Sequence, residues 1–318
     1  MKKICRLASL VFVITLLFAT QAAFANFPTG PITMIAHFGE GGTVDVNGRI
    51  MAAAMTERLG QRVNVVNITG GSGEIGAMEL LNSPKDGYTI GVLGFVDTLI
   101  IGEMRNTVGL DDFEAICQVS AVPFAMYAKP GSQFASMSEL VEFARNNPRR
   151  VTVAESGNSI KLWIAAWMQE AGIEVTTVNF QSGAESMNAL FGGHVELAIT
   201  NPAWIPNVLE NGGTVIAIGG DTLENYPDVA TMSRLGYGTV DALGTTTTIV
   251  LPKGLPDEIR QVYLDVVADI GRNEAVLRQI KDAGFLGDYV YGEEYIKQYE
   301  QHRDIVLNAL RDNIDMLQ

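Results

Sequence analysis

Three short loops carry most of what this chain offers for binding chemistry. Phe38-Gly39-Glu40-Gly41-Gly42-Thr43, Gly70-Gly71-Ser72-Gly73 and Glu155-Ser156-Gly157-Asn158-Ser159 are rich in residues with no side chain or a short hydroxyl. Their main-chain N–H groups therefore stand uncovered, and where such a loop opens a helix those groups and the helix dipole favour an anion. The plainer account of each loop is local: glycine makes the turn and Ser or Thr caps the helix. Three such loops in one chain shift the balance toward a ligand. Two helix N-termini on one side facing one on the other suit a molecule with separated carboxylates.

Other chemistry is thinly represented. Gly71-Ser72-Gly73-Glu74-Ile75-Gly76 spells GxGxxG with Asp97 some way downstream, but it follows the second strand of the series instead of opening the first βαβ unit, which argues against a dinucleotide site. The chain has no GxSxG elbow and no HExxH pair, so a hydrolase using Ser156 or Ser159 is the weaker alternative; Ser after a strand is explained by capping. His37, His194 and His302 are too scattered for a metal centre on spacing, with His194 and His302 read as surface residues and His37 as facing either the cleft or the sheet. No cofactor is called for. Glu40 and Glu155 either complement their helix dipoles in solvent or pair with an ammonium group or metal ion on the ligand. Trp163, one turn into its helix, is a candidate apolar wall.

These loops need strands and helices to hold them. Residues 31–37 read as a strand and 44–59 as a helix with Val46, Ile50, Ala53, Ala54 and Met55 on one face. Strands follow at 63–68 and 88–93, with a helix at 74–82 between them. Apolar stretches at 113–120 and 124–129 could carry the chain from one lobe to another. A second series has helices at 138–146, 159–171 and 184–191, and strands at 151–154, 175–180, 195–200 and 215–219. The run Thr245 to Leu251 reads as a strand, and 255–273 and 292–317 as amphipathic helices that could return to the first lobe. This order predicts two mostly parallel sheets flanked by helices, with ligand sites beyond the carboxyl ends of the strands. The expected division is 1–25 as a leader, 26–123 with 241–318 as one lobe, and 124–240 as the other.

Composition narrows the class. Lys2, Lys3 and Arg6 precede an apolar run from Leu7 to Ala19, and Ala23-Phe24-Ala25 supplies small residues for cleavage, the pattern of a secretory signal. Cys5 falls inside that leader, leaving Cys117 alone and no intrachain disulfide. The formal charge of −14 includes the leader's cations, so the exported chain is more acidic still and unsuited to nucleic acid. Small solutes or proteins are the expected partners.

Taken together, Phe38 to Asp45 followed by Arg49, Leu59-Gly60-Gln61, the run Val65 to Ala77, Asp86-Gly87-Tyr88-Thr89, Gly192-Gly193-His194-Val195-Glu196 and Pro227-Asp228-Val229-Ala230-Thr231 resemble the substrate receptors of tripartite tricarboxylate transporters, the Bug receptors. The resemblance implies a type II periplasmic-binding-protein fold, no catalysis, and delivery of an organic acid, or alternatively an amino acid or aromatic acid, to a membrane permease. It implies that Phe38, Gly39, Glu40, Gly41, Gly42, Thr43 and Asp45 hold the ligand from one lobe. Glu155, Ser156, Gly157, Asn158 and Ser159 would hold it from the other, with Gln181, Ser182, Gly183 and Asn201 as the remaining wall. The chain departs from the family in having Glu40 where a proline is usual, and Phe180-Gln181-Ser182 in place of a Tyr-Lys-Gly run. Extra carboxylates and a missing lysine should weaken binding of a polyanion, because like charges about 4 Å apart repel by about 1 kcal/mol even in bulk water. A sensor lobe that presents its ligand to a signalling protein would share the same site.

Overall fold

Short apolar strands buried on both faces demand helices above and below them, and the computed structural model shows that layering twice. It describes residues 27–285 and 289–317; the expected leader lies outside them. The first sheet contains β1 (Ile32–Ala36), β2 (Val63–Asn67), β3 (Thr89–Gly94), β4 (Phe113–Val122), β10 (Thr245–Pro252) and β11 (Val290–Tyr291), in the order β11-β4-β10-β3-β1-β2. The second contains β5 (Ala125–Ala128), β6 (Thr152–Glu155), β7 (Thr176–Asn179), β8 (Leu197–Thr200) and β9 (Thr214–Ile218), in the order β7-β6-β8-β5-β9.

Both sheets are mixed, where the alternation of strands and helices predicted mostly parallel ones. β1 pairs in parallel with β2 and β3, and β6 with β7 and β8. The strands that carry the chain between sheets run the other way: β10 is antiparallel to β3 and β4, and β5 to β8 and β9. The reason is geometric. β4 continues through Pro123 and Phe124 directly into β5, and a strand that leaves one sheet to enter another cannot also make the right-handed helical return that a parallel neighbour requires.

The helices that matter for the site start where parallel strands end. α1 (Thr43–Leu59) follows β1 and stops at Gly60, whose left-handed φ of 66° suits a residue without a Cβ. α2 (Glu74–Asn82) follows β2, and α3 (Phe95–Arg105) leaves β3 without a loop. In the second half, α4 (Met137–Asn146), α5 (Asn158–Ala171), α6 (Gly183–Phe191) and the short α7 (Ile205–Glu210) alternate with the strands. The last three are α8 (Asp257–Gly271), α9 (Glu274–Asp282) and α10 (Gly292–Leu317). No described helix is long and apolar enough to cross a membrane.

α5 is the central helix. Ile160, Leu162, Trp163, Ile164, Trp167 and their neighbours are buried nearly all the way round, because α3, α10 and the turn at Gly238–Ala242 lie against it and Met126, Val153, Leu197 and Ile199 of the second sheet share its apolar cluster. One apolar cluster runs from Phe95 and Ile100 of α3 through α5 to Val306 and Leu310 of α10. α8 packs against α1 and β4 of the first sheet, as expected of a returning segment, whereas α10 touches α5 as well as α3, β4 and β11.

Candidate functional site

The loops at the carboxyl ends of β1, β6 and β8 meet across a hollow between the two sheets. Its wall includes Phe38, Gly42, Thr43 and Val44 from the first sheet's side and Ser156, Ser159, Ser182, Gly183 and Thr200 from the second's, with Asp97, Phe124, Ile160 and Thr245 completing it. The hollow has about 30 Å³ of room, enough for one or two water molecules.

Hydrogen bonds hold the sides together. Gly39 N–H donates to Gln181 O at 3.0 Å. A Cβ at Gly39 would lie 3.2 Å from that oxygen and from Ser182 Cβ, so the approach is tight even for glycine. Asn201 Nδ2 donates to Thr43 Oγ1 at 2.8 Å, and its Oδ1 accepts from Ala203 N–H. The third contact is the strongest: Ser159 donates its N–H to Asp97 Oδ1 at 2.7 Å and its hydroxyl to Oδ2 at 2.9 Å. Asp97 is 2% exposed. Burial pushes its pKa up to about 7, with the charge of Glu155 adding to the rise and the Ser159 and Asn158 donors opposing it.

Within the first loop, Glu40 and Asp45 have different fates. Glu40 is 81% exposed at its side chain and lies 3.8 Å from Arg49 Nη2, which is the solvent-facing alternative of the two considered for it. Asp45 is buried and turned inward, accepting from Gly41 N–H at 2.9 Å, from Asn67 Nδ2 at 2.9 Å and from Arg49. Burial works against its charge, but those donors hold its carboxyl below the usual range. Asp45 thus shapes the loop and does not line the hollow. Gly42 caps α1 with no side-chain hydrogen bond, and Thr43 and Val44 of the first turn, whose N–H groups have no partner within the helix, are on the wall.

In the third loop, Glu155 is fully buried but turned toward its own sheet, accepting from Gly157 N–H at 3.1 Å and Asn179 Nδ2 at 3.0 Å. Burial raises its pKa, with Asn179, Lys161 and Gly157 opposing. Gly157 has φ 109°, and a Cβ there would meet Asp97 Oδ1 at 2.6 Å. Asn158 is the first residue of α5 and is buried. Ser182 caps α6 by accepting from Glu185 N–H, while the Glu185 carboxylate accepts from Gln181 N–H, a reciprocal pair that uses up those donors locally. Trp163 is fully buried among the α5 core side chains and contributes nothing to the wall.

The second glycine loop also contributes no residue to the hollow. Gly73 and Gly76 pack on His37, where a Cβ would lie 2.5 and 2.8 Å from the ring and its Cβ. Glu74 binds Arg105 and Thr107. His37 is buried and held neutral, its pKa pushed down by burial to about 3. Its Nε2 accepts from Gly94 N–H at 2.7 Å, and its ring meets that of Phe38 edge-on at 4.4 Å. His37 therefore braces the floor from behind. His194 is exposed, but His302 is not the surface residue expected: it stacks on Phe95 at 4.9 Å, and burial lowers its pKa to about 4.

Sequence reasoning missed Asp97 as a site residue. The one signal was a lone acid in the otherwise uncharged run Gly94 to Gly102.

Residues 48–303 match the receptor of the tripartite tricarboxylate transporter family, TctC. The chain belongs to that family. Among TctC relatives, BugT of Bordetella pertussis is 27% identical over 257 residues, spanning 78% of each chain. Two solved structures show the same fold. A protein of R. palustris with adipate aligns with a TM-score of 0.79 and 22% identity, covering 90% of this chain and 97% of that one. MatC from Rhodopseudomonas palustris with bound malate aligns at 0.78 and 19%, covering 92% and 100%.

Proposed function

We propose that this TctC-family protein is an exported receptor that captures a small carboxylate-containing metabolite between its two lobes and delivers it to the membrane subunits of a tripartite transporter, without altering it chemically. The observation that carries the reading is the hollow itself: first-turn residues of α1 line it opposite residues of the α5 N-terminus, and both sides close on it through main-chain and short polar contacts. Such donors hold a carboxylate without a cationic side chain. The adipate and malate carried by the two structural neighbours are acids of the same class.

In this reading, residues 26–123 with 241–318 form one lobe and 124–240 the other, and they part about β4–β5 and the return to β10. Phe38, Gly42 and Thr43 bind from the first lobe; Ser156, Ser182 and Gly183 bind from the second, where Ser159 is engaged with Asp97. Gly39, Gly41, Asp45, Gly157, Gln181 and Asn201 shape or latch the site. Glu40 and Glu155 make no direct contact with the ligand. The leader places the protein outside the cytoplasmic membrane. Native mass spectrometry of the protein purified from its own host identifies the co-purified acid. Thermal-shift titration with that acid should then stabilise the fold as RT ln(1 + [L]/Kd). Release of a chemically changed product would overturn the receptor reading.

A further inference from the structure

A helix N-terminus holds one anion well, and that of α5 already has one from within the chain. Asp97 comes from α3, on the far side of the hollow, and both of its carboxylate oxygens are bound by Ser159 at the start of α5. The fit is prepared from two directions. A Cβ at Gly157 would meet Oδ1 at 2.6 Å and one at Gly94 would meet Oδ2 at 2.9 Å, so a side chain at either position would displace the carboxylate from this seat. Behind the loop, Glu155 is a second buried carboxylate, close enough to raise the pKa of Asp97. No Lys or Arg forms an ion pair with either acid among the described residues. The wall carries hydroxyls and apolar groups but no cationic side chain.

A ligand's carboxylate finds first-turn N–H groups at α1. At α5 a second carboxylate would find the Ser159 N–H and hydroxyl already given to Asp97 and two acids buried beside it, with only the nearby charge of Lys161 to offset Glu155, an arrangement that disfavours it where water is excluded. An ammonium group meets the opposite situation. A carboxylate has about four acceptor positions, and the donors of α5 do not exhaust those of Asp97, which itself lines the hollow. With burial holding Asp97 near neutrality in its titration, an arriving cation would favour its charged form.

The geometry points to Asp97 as the residue that sets ligand choice: this receptor takes a molecule with one carboxylate on the α1 N-terminus and a protonated amine at its other end against Asp97, and rejects a second carboxylate there. This rests on the carboxylate-receptor reading and names the chemistry of the ligand's far end.

Calorimetric titration at neutral pH tests it with matched probes of two to six carbons, each length offered as the monocarboxylate, the α,ω-dicarboxylate and the ω-amino acid. At the best-fitting length the wild type should bind the amino acid about tenfold or more tightly than the dicarboxylate. Asp97→Asn should shrink or invert that ratio, chiefly by gaining the dicarboxylate. Ser159→Ala, which removes a donor but keeps the charge, should preserve the order, an outcome a merely structural role for Asp97 would not produce. A dicarboxylate bound as tightly as its amino acid by the wild type overturns the inference even if Asp97→Asn fails to fold. So does an unchanged ratio in a folded Asp97→Asn protein. Acids that bind without preference for the amine leave the receptor reading standing and this inference fallen, whereas no binding by any acid overturns both.

Discussion

Asp97 ties ligand choice, closure and pH together in one side chain. Its pKa lies at about 7, against 3.8 for an unperturbed Asp. The folded chain thus keeps a proton that the unfolded chain has already released. The stability from this group is complete below the ordinary carboxylate range and is lost as pH rises through about 7. His37 and His302, lowered to about 3 and about 4, act in the other direction, costing stability as the medium becomes acidic. The clean measurement is therefore a difference: the melting temperature of Asp97→Asn minus that of wild type, in the absence of ligand, should climb between pH ~4 and ~8. Parallel melting profiles would show that Asp97 is not held as described. A neighbouring residue gives a sharper steric test. Gly157→Ala puts a methyl group where Asp97 Oδ1 lies and forces a left-handed φ of 109° on alanine, so affinity should drop at least about tenfold through failure to close. Glu40→Gln, changed at an exposed rim position, should leave affinity within about twofold, since surface ion pairs contribute little.

At the scale of elements, α5 is both wall and core, and the two duties are separable. Its N-terminus meets Asp97, while Trp167, fully buried deeper in the helix, should cost about 3–5 kcal/mol of stability on truncation to alanine, as emptied aromatic sites do. Chemical denaturation reads that loss, and ligand affinity of the remaining folded protein should stay near wild type. The elements also show what a sequence discloses. The start of α5 was legible because Ser156-Gly157-Asn158-Ser159 interrupts two apolar runs, and α1 because Gly42-Thr43 precedes an apolar periodic run, although the face was read a little out of place: Ala53 is exposed, Val46 and Ile50 are half-buried, and Met51 and Ala52 are buried beside Ala54 and Met55. α3 was not. It leaves β3 through Gly94 without a side-chain cap, and the apolar residues from Ile90 to Ile101 give no break between a strand's period and a helix's. Asp97 sits in that missed helix, and its partner lies 62 residues away, a separation no local pattern encodes. Trp163 failed for the converse reason: a helix buried on all sides has no polar face to reveal which tryptophan meets the cleft. The loops were found from glycine content, yet the second of them serves His37, because glycine marks a close approach without saying to what.

The whole molecule repeats one plan. Each sheet has its strands in the same relative order, with the fourth position filled by a strand arriving from the other sheet. Such crossovers permit bending, but the apolar cluster shared by α3, α5 and α10 must slide or stay intact when the halves part. Small-angle scattering should thus show a modest reduction in radius on adding ligand, with α10 remaining docked by hydrogen exchange. Early exchange throughout α10 would mean that it belongs to one half only.

Cys117, in β4, is the lone thiol of the described residues; it is fully buried, and burial drives its pKa up to about 12. A thiol so seldom ionised is sluggish toward maleimides and oxidants. A cysteine introduced at Glu40, on the solvent-facing rim, would then be the single reactive thiol among the described residues to accept an environment-sensitive dye. The protein is thereby suited to becoming an optical reporter for its own solute, with fluorescence read directly as occupancy and no background from the native sulfur.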